Sequence, residues 1–205
     1  MTFTIPNLLS LLRMGLIPLF VIMVMNGDAP KALLIFVVAG VTDALDGFIA
    51  RFWKQQSLLG AYLDPMADKL LLTTAYVVLS IPSLNHGGTQ IPPWVTILVI
   101  ARDVLIVAVA LVLYLAAGVR KFPPSVLSKI NTILQVVAVA LVLVSGAFPK
   151  LRSIELAADA TLYLVAGLTV ASGLYYIYLY TYRSISGGQE KVQKGQQGPK
   201  GQQGQ

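Results

Sequence analysis

Apolar residues fill this chain in long runs, and polar residues gather at the breaks between them. Six runs stand out, at 6–26, 31–52, 58–81, 93–117, 125–147 and 157–182. Each is about 20 residues or longer, enough for a helix rising ~1.5 Å per residue to cross ~30 Å of hydrocarbon. The breaks carry turn chemistry: Asn26-Gly27-Asp28-Ala29-Pro30, Pro82 to Pro93, Pro123-Pro124 and Gly146 to Arg152. The pattern predicts an all-α, polytopic integral membrane protein with six transmembrane helices, because a helix satisfies its own backbone groups in lipid. The stretch 187–205 is rich in Gly and Gln and poor in apolar residues. It is expected to be a disordered tail on a membrane domain spanning 1–186.

Composition strengthens the membrane reading. Of 205 residues, 56% are hydrophobic and 12% charged, and mean hydropathy is +0.74. A soluble domain carries about twice that share of charge. With no Cys the chain has no disulfides, and with one His it has little to offer a soft metal. One side of the predicted bundle collects Arg51, Lys54, Arg120, Lys121, Arg183 and the tail lysines; the other has Lys31, Lys150 and Arg152. That bias places both termini in the cytoplasm. The net charge of +6 favours anionic lipid headgroups. The N-terminus lacks a basic n-region and is not expected to be a cleavable signal peptide.

Four aspartates break the apolar pattern of the second and third runs: Asp43, Asp46, Asp64 and Asp68. Each pair shares a helix face, at i,i+3 and i,i+4 spacing. In a hairpin turning at Arg51 to Ser57, Asp46 and Asp64 lie roughly 7–10 Å below the same surface, so the four carboxylates can converge. An acidic group within a bilayer costs ~2.5–3.5 kcal/mol on the lenient insertion scale, and four together repel one another unless a cation neutralises them. Hard oxygen ligands at this density suit Mg²⁺, Mn²⁺ or Ca²⁺. The plainer alternative is structural carboxylates paired with Lys69, Arg51 or Arg102. Gly47, Ala50 and Gly60 form a small-residue face beside the acidic one. It serves close helix packing, or lets a flat ligand reach the backbone. Arg51, at the water boundary, suits a phosphate.

The pattern Asp43-x2-Asp46-Gly47-x2-Ala50-Arg51-x8-Gly60-x3-Asp64-x3-Asp68 resembles the signature of the CDP-alcohol phosphotransferase (CDP-alcohol phosphatidyltransferase) family, with every spacing intact. The resemblance implies transfer of a phosphoalcohol group from a CDP-alcohol to a hydroxyl, with release of CMP. It implies a site for two divalent cations, Mg²⁺ or Mn²⁺, with Asp43, Asp46 and Asp64 as ligands and Asp68 as general base and looser ligand. Gly47, Ala50, Arg51 and Gly60 would line the CDP pocket, with Asn7 near the nucleotide. The membrane setting implies CDP-diacylglycerol as donor, a glycerol-headed acceptor and surrounding lipids as partners, a homodimer and no nucleic acid. The expected location is a membrane, bacterial by expectation, with the site open to the cytoplasm.

Outside the motif, other polar residues are candidates for the acceptor. Arg13 lies in an apolar run and needs an anion, either a phosphate or an aspartate. Span five opens with Ser128, Lys129, Asn131, Thr132 and Gln135, a polar stripe that suggests a lined cavity. Lys129 reads as an acceptor-phosphate ligand or as a side chain snorkelling to the interface, and Thr132 joins it. Arg102 and Asp103 read as an internal charge pair between helices. The tyrosines of SGLYYIYLYTYR read as an interface belt, as do Trp94 and Trp53, and His86 as an exposed loop residue.

IPNLLSLLRMGLIP, ARDVLIVAVALVLY and PSVLSKINTILQVV are similar to the eukaryotic-type cardiolipin synthases of that family, which use phosphatidylglycerol as acceptor. The competing resemblance is to phosphatidylglycerophosphate synthases, which use glycerol 3-phosphate and usually have a second Arg where Ala110 stands; LTVASGLYYI leans towards them. A divalent-cation transporter is the alternative from another class, although no repeat surrounds the aspartates as transporter architecture would require. A purely structural scaffold would tolerate Asp68→Asn.

Overall fold

A computed structural model of the chain describes residues 5–52, 58–84, 89–117 and 126–196. Among them are six helices and no strand: α1 (Ile5–Met25), α2 (Ala29–Phe52), α3 (Leu58–Ser80), α4 (Pro93–Ala117), α5 (Val126–Ala147) and α6 (Arg152–Gln196). The expected all-α architecture and the placing of its elements are met. Three stretches, Leu8–Met25, Val126–Ala147 and Arg152–Tyr176, are long and apolar enough to cross a membrane by length and composition.

The first helical hairpin turns where the sequence provides for it. Gly27 takes a φ of 71°, the left-handed conformation glycine adopts without penalty. Its N–H donates to Val24 O, and the Asp28 N–H reaches back to Met23 O. These two bonds are the paired C-terminal cap that satisfies a helix's last carbonyls. Asp28 then opens α2: its backbone carbonyl accepts from Ala32 N and its side chain from Lys31 N at 3.2 Å, as an N-cap does. Lys31 Nζ also meets Asp28 Oδ2 at 2.6 Å. One aspartate thus ends one helix and starts the next.

α1 packs chiefly on α2 and α3, α5 on α6 and α2, and α4 on α6. The apolar core lies towards the Gly27 end of the bundle. Phe20 and Val24 of α1, Ala32 and Phe36 of α2, Ala75 and Leu79 of α3, Val95 of α4, Val139 and Val142 of α5, and Leu162 and Val165 of α6 are all buried there. Buried polar residues gather towards the opposite end: Ser10, Arg13, Arg102, Asn131, Thr169 and Ser172. Near the core end the α3–α4 connection is tied down by side chains. Thr89 N donates to Ser145 Oγ at 2.9 Å, and Gln90 Nε2 to Ser80 O at 3.0 Å.

α6 differs most from expectation. It starts at Arg152 rather than 157, because Glu155 in its first turn favours a helix N-terminus without adding apolar length. It also runs on to Gln196, ten residues into the stretch read as tail, where Gln, Glu and Lys are good helix formers. Trp53, Lys54, His86, Arg120 and Lys121 fall outside the described residues.

Candidate active site

Arg13 is fully buried on α1, on the face that meets both α2 and α3. Its Nη1 lies 2.8 Å from Asp43 Oδ1 of α2 and also pairs with Asp68 Oδ1 of α3. One guanidinium nitrogen therefore gathers a carboxylate from each arm of the predicted acidic hairpin. The two carboxylates remain open on their other side, with side-chain exposures of 45% and 42%. Ser10, one turn before Arg13, is buried on the same face.

The backbone places the rest of the motif nearby in register. Asp46 stands six residues before the end of α2 at Phe52, and Asp64 six residues after the start of α3 at Leu58. Gly47, Ala50 and Arg51 occupy the last turns of α2, and Gly60 the first turn of α3. The side chains of Asn7, Asp46, Gly47, Ala50, Arg51, Gly60 and Asp64 lie outside those described. Among the described residues the convergent acidic set is therefore a pair, with no group of three metal-type side chains. Two oxygens that meet on one cationic atom, with neither imidazole nor thiolate beside them, fit a hard divalent cation such as Mg²⁺ or Mn²⁺.

Arg102 and Lys69 serve a different carboxylate. Asp103 accepts from Arg102 Nη1 at 2.8 Å and from Lys69 Nζ at 2.5 Å. Arg102 is completed by two hydroxyls, Ser172 Oγ at 2.9 Å and Ser128 Oγ at 2.6 Å. The expected interhelical charge pair of Arg102 and Asp103 is corrected in detail. These two lie adjacent on α4, and the interhelical partner of Asp103 is Lys69. For Asp43 and Asp68 the option of Lys69 or Arg102 as partner gives way to Arg13: a step of ~100° per residue aims Asp68 at α1 and Lys69 at α4.

This network floors a cavity of about 720 Å³ between α3, α4, α5 and α6, a volume typical of small-molecule sites. Its polar lining includes Lys69, Arg102, Asp103, Ser128 and Thr132; its walls include Ile100, Val104, Val107 and Tyr176. Of the acceptor candidates, Thr132 faces this space, Arg13 is engaged by the aspartates, and Lys129 is exposed and does not line the cavity. Asn131 and Gln135 are buried, and Asn131 Oδ1 accepts from Thr169 Oγ1 at 3.3 Å. The reading of the last tyrosines as one interface belt is corrected at Tyr176, which is buried and lines the cavity; Tyr175 and Tyr178 are exposed. Thr169, Ser172 and Tyr176 stand at i, i+3 and i+7 on α6. That polar spacing, legible in the sequence, was the missed signal for the cavity's fourth wall.

Residues 3–174 match the CDP-alcohol phosphatidyltransferase family. The chain belongs to this family. Rat and human proteins named cardiolipin synthase (CMP-forming) are each 37% identical to it over 198 residues, covering 89% of this chain and 63% of theirs. The chain thus spans less than two thirds of the length of those relatives. The Escherichia coli protein named CDP-diacylglycerol–glycerol-3-phosphate 3-phosphatidyltransferase is 37% identical over 183 residues, covering 86% of this chain and 94% of its own. Its Haemophilus influenzae namesake is 35% identical over 184 residues, covering 86% and 93%. The Arg13-bound aspartates of α2 and α3 lie within the matched residues.

Proposed function

We propose that this chain moves a phosphatidyl group from CDP-diacylglycerol to the hydroxyl of phosphatidylglycerol, forming cardiolipin and releasing CMP. The observation that carries the transferase reading is the meeting of Asp43 and Asp68, from two helices, on one cationic atom. Asp68 takes the proton of the acceptor hydroxyl. The acceptor oxygen forms a bond to the phosphorus that bears the diacylglycerol, the bond from that phosphorus to the CMP oxygen breaks, and CMP leaves. Asp43, Asp46, Asp64 and Asp68 would hold two divalent cations, Mg²⁺ or Mn²⁺, which supply charge neutralisation at the pyrophosphate. Gly47, Ala50 and Gly60 leave room for the nucleotide, Arg51 balances phosphate charge, and Asn7 approaches the nucleotide. In this reading all six helices span the membrane, both termini and the site face the cytoplasm of a bacterial cell, and the protein works as a homodimer.

The acceptor assignment draws on the cavity. Lys69, Arg102 and Asp103 leave its floor one net positive charge, and most of its walls are apolar. A lipid phosphodiester carries one negative charge, whereas a phosphate monoester carries −1.5 to −2 at neutral pH. Thr132, on the cavity lining, would meet the acceptor headgroup. The second reading is glycerol 3-phosphate as acceptor, favoured by the coverage of nearly the whole bacterial relatives.

The test supplies purified protein with Mg²⁺ or Mn²⁺, CDP-diacylglycerol and either acceptor. CMP and cardiolipin from phosphatidylglycerol alone are expected. Product from glycerol 3-phosphate alone would transfer the assignment to phosphatidylglycerophosphate synthesis. Metal flux across vesicles without CMP release would replace the enzyme with a cation transporter.

A further inference from the structure

We propose that Asp103 selects the acceptor: by holding the cavity floor at one net positive charge, it admits a phosphate carrying one negative charge and turns away one carrying two. This rests on the reading of the cavity as the acceptor's site. Among the described residues that line the cavity, the charged ones are Lys69, Arg102 and Asp103. The carboxylate stands between the two cations, 2.8 Å from Arg102 Nη1 and 2.5 Å from Lys69 Nζ. Arg102 spends each of its nitrogens on a protein oxygen: Nη1 on Asp103, Nε on Ser172 and Nη2 on Ser128. It supplies fixed charge more than contact. Lys69 is nearly half exposed, and of the three donors an ammonium has, Asp103 Oδ2 takes one. An entering phosphate therefore meets Lys69 with the Asp103 carboxylate beside it. A carboxylate offers acceptors only, and so does a phosphate dianion, so the two repel. A phosphodiester is balanced by the floor's net charge. A monoester brings about 0.5–1 further negative charge at neutral pH, which nothing on the floor neutralises. The apolar walls of Ile100, Val104 and Val107 screen it far less than water does. Discrimination between related ligands commonly rests on such a repulsive group.

The test measures kcat/KM for phosphatidylglycerol and for glycerol 3-phosphate on the full chain in detergent, with Mg²⁺ and CDP-diacylglycerol supplied. Asp103→Asn keeps the side chain's size and raises the floor from one net positive charge to two. It should raise kcat/KM for glycerol 3-phosphate, relative to that for phosphatidylglycerol, at least tenfold over the parent, chiefly through KM. Asp103→Glu keeps the charge and should keep the parent ratio. A merely structural role would lower both values together in Asp103→Asn and leave their ratio in place, which overturns the proposal. A ratio moved as far by Asp103→Glu overturns it too, since shape and not charge is then being read. Should Asp103→Asn fail to fold, Ala108→Lys carries the test. Ala108 is an exposed part of the cavity lining, so a lysine there adds the same unit of charge while the bonds of Asp103 stay intact. The ratio should move in the same direction, and an unmoved ratio overturns the proposal. The parent protein separates the selection from the reading beneath it. A parent that prefers glycerol 3-phosphate overturns the acceptor assignment itself. A parent that prefers phosphatidylglycerol, with an unmoved ratio in Asp103→Asn, overturns the charge selection alone.

Discussion

Asp103→Asn should destabilise the folded protein far more than Lys69→Met, although both break the same interhelical bridge. Asp103 is bonded to two cations that differ in burial: Arg102 is 5% exposed and Lys69 45%. Removing the only carboxylate on a deeply buried cation costs ~3–5 kcal/mol. Two features reduce that here. Asp103 is itself 19% exposed, so solvent screens part of the interaction, and Arg102 keeps its bonds to Ser128 and Ser172, each worth ~1 kcal/mol net. A cost of about 2 kcal/mol remains, roughly a thirtyfold shift in the unfolding equilibrium at ~1.4 kcal/mol per tenfold. Lys69→Met, by contrast, removes a half-exposed partner worth ~0–1 kcal/mol and leaves Asp103 paired with Arg102. The assay is reversible unfolding of the detergent-solubilised protein in SDS mixed micelles, followed by circular dichroism. Equal losses for the two variants, or a stable Asp103→Asn, would refute the claim that burial of Arg102 sets the strength of this network.

Three further outcomes are expected. Asp68→Asn should lower CMP release at least a hundredfold, the usual scale of general-base catalysis, with an unchanged helical circular dichroism spectrum. At Asp28, the side-chain and backbone hydrogen bonds from Lys31 hold the carboxyl below its usual 3.8; a depressed folded-state value stabilises above the unfolded pKa and fades as pH falls through the folded one. Asp28→Asn keeps the cap, so its deficit at pH 7 should disappear in melts recorded below the ordinary carboxylate range. Ser145→Ala removes the acceptor of the Thr89 N–H and should cost ~1–3 kcal/mol, speeding amide exchange in the α3–α4 connection while leaving kcat and KM unaltered.

Much of this arrangement could be read from the chain because it depends on local order. Run length and turn residues locate the helices to within a few residues, the ends of α6 excepted, and Gly27-Asp28 names its own turn. The carboxylate spacing predicts four aspartates converging in one hairpin, and of these Asp43 and Asp68, whose side chains are described, both reach Arg13. What local order leaves open is the choice of partners. Arg13 had a phosphate and an aspartate as options, and Lys69 had the motif aspartates. Choosing among them requires knowing which face of α1 meets α2 and α3, and which face of α3 meets α4. Those facts are tertiary, and single charged residues in apolar runs do not encode them. The cavity is half legible: the polar stripe on α5 reads as a cavity lining, whereas Tyr176 of α6, which reads with the neighbouring tyrosines as an interface belt, is buried and lines the cavity.

Asp68 and Lys69 show why charge order along a membrane helix matters more than charge balance. As neighbours in sequence they look self-neutralising. The helical step sends them to opposite flanks of α3, so each must find its counterion on another helix: Asp68 finds Arg13 on α1, and Lys69 finds Asp103 on α4. Had they stood at i and i+4 they would have paired with each other, leaving Arg13 without Asp68 and the floor of the cavity to Arg102 and Asp103, whose charges cancel. The adjacent placing instead gives α3 an acidic flank suited to a divalent cation and a cationic flank suited to an anionic headgroup. The proposed transfer of a phosphatidyl group from a nucleotide pyrophosphate to a second anionic lipid, with CMP leaving, needs both polarities within one helix diameter, and the Asp68-Lys69 step supplies them with two residues.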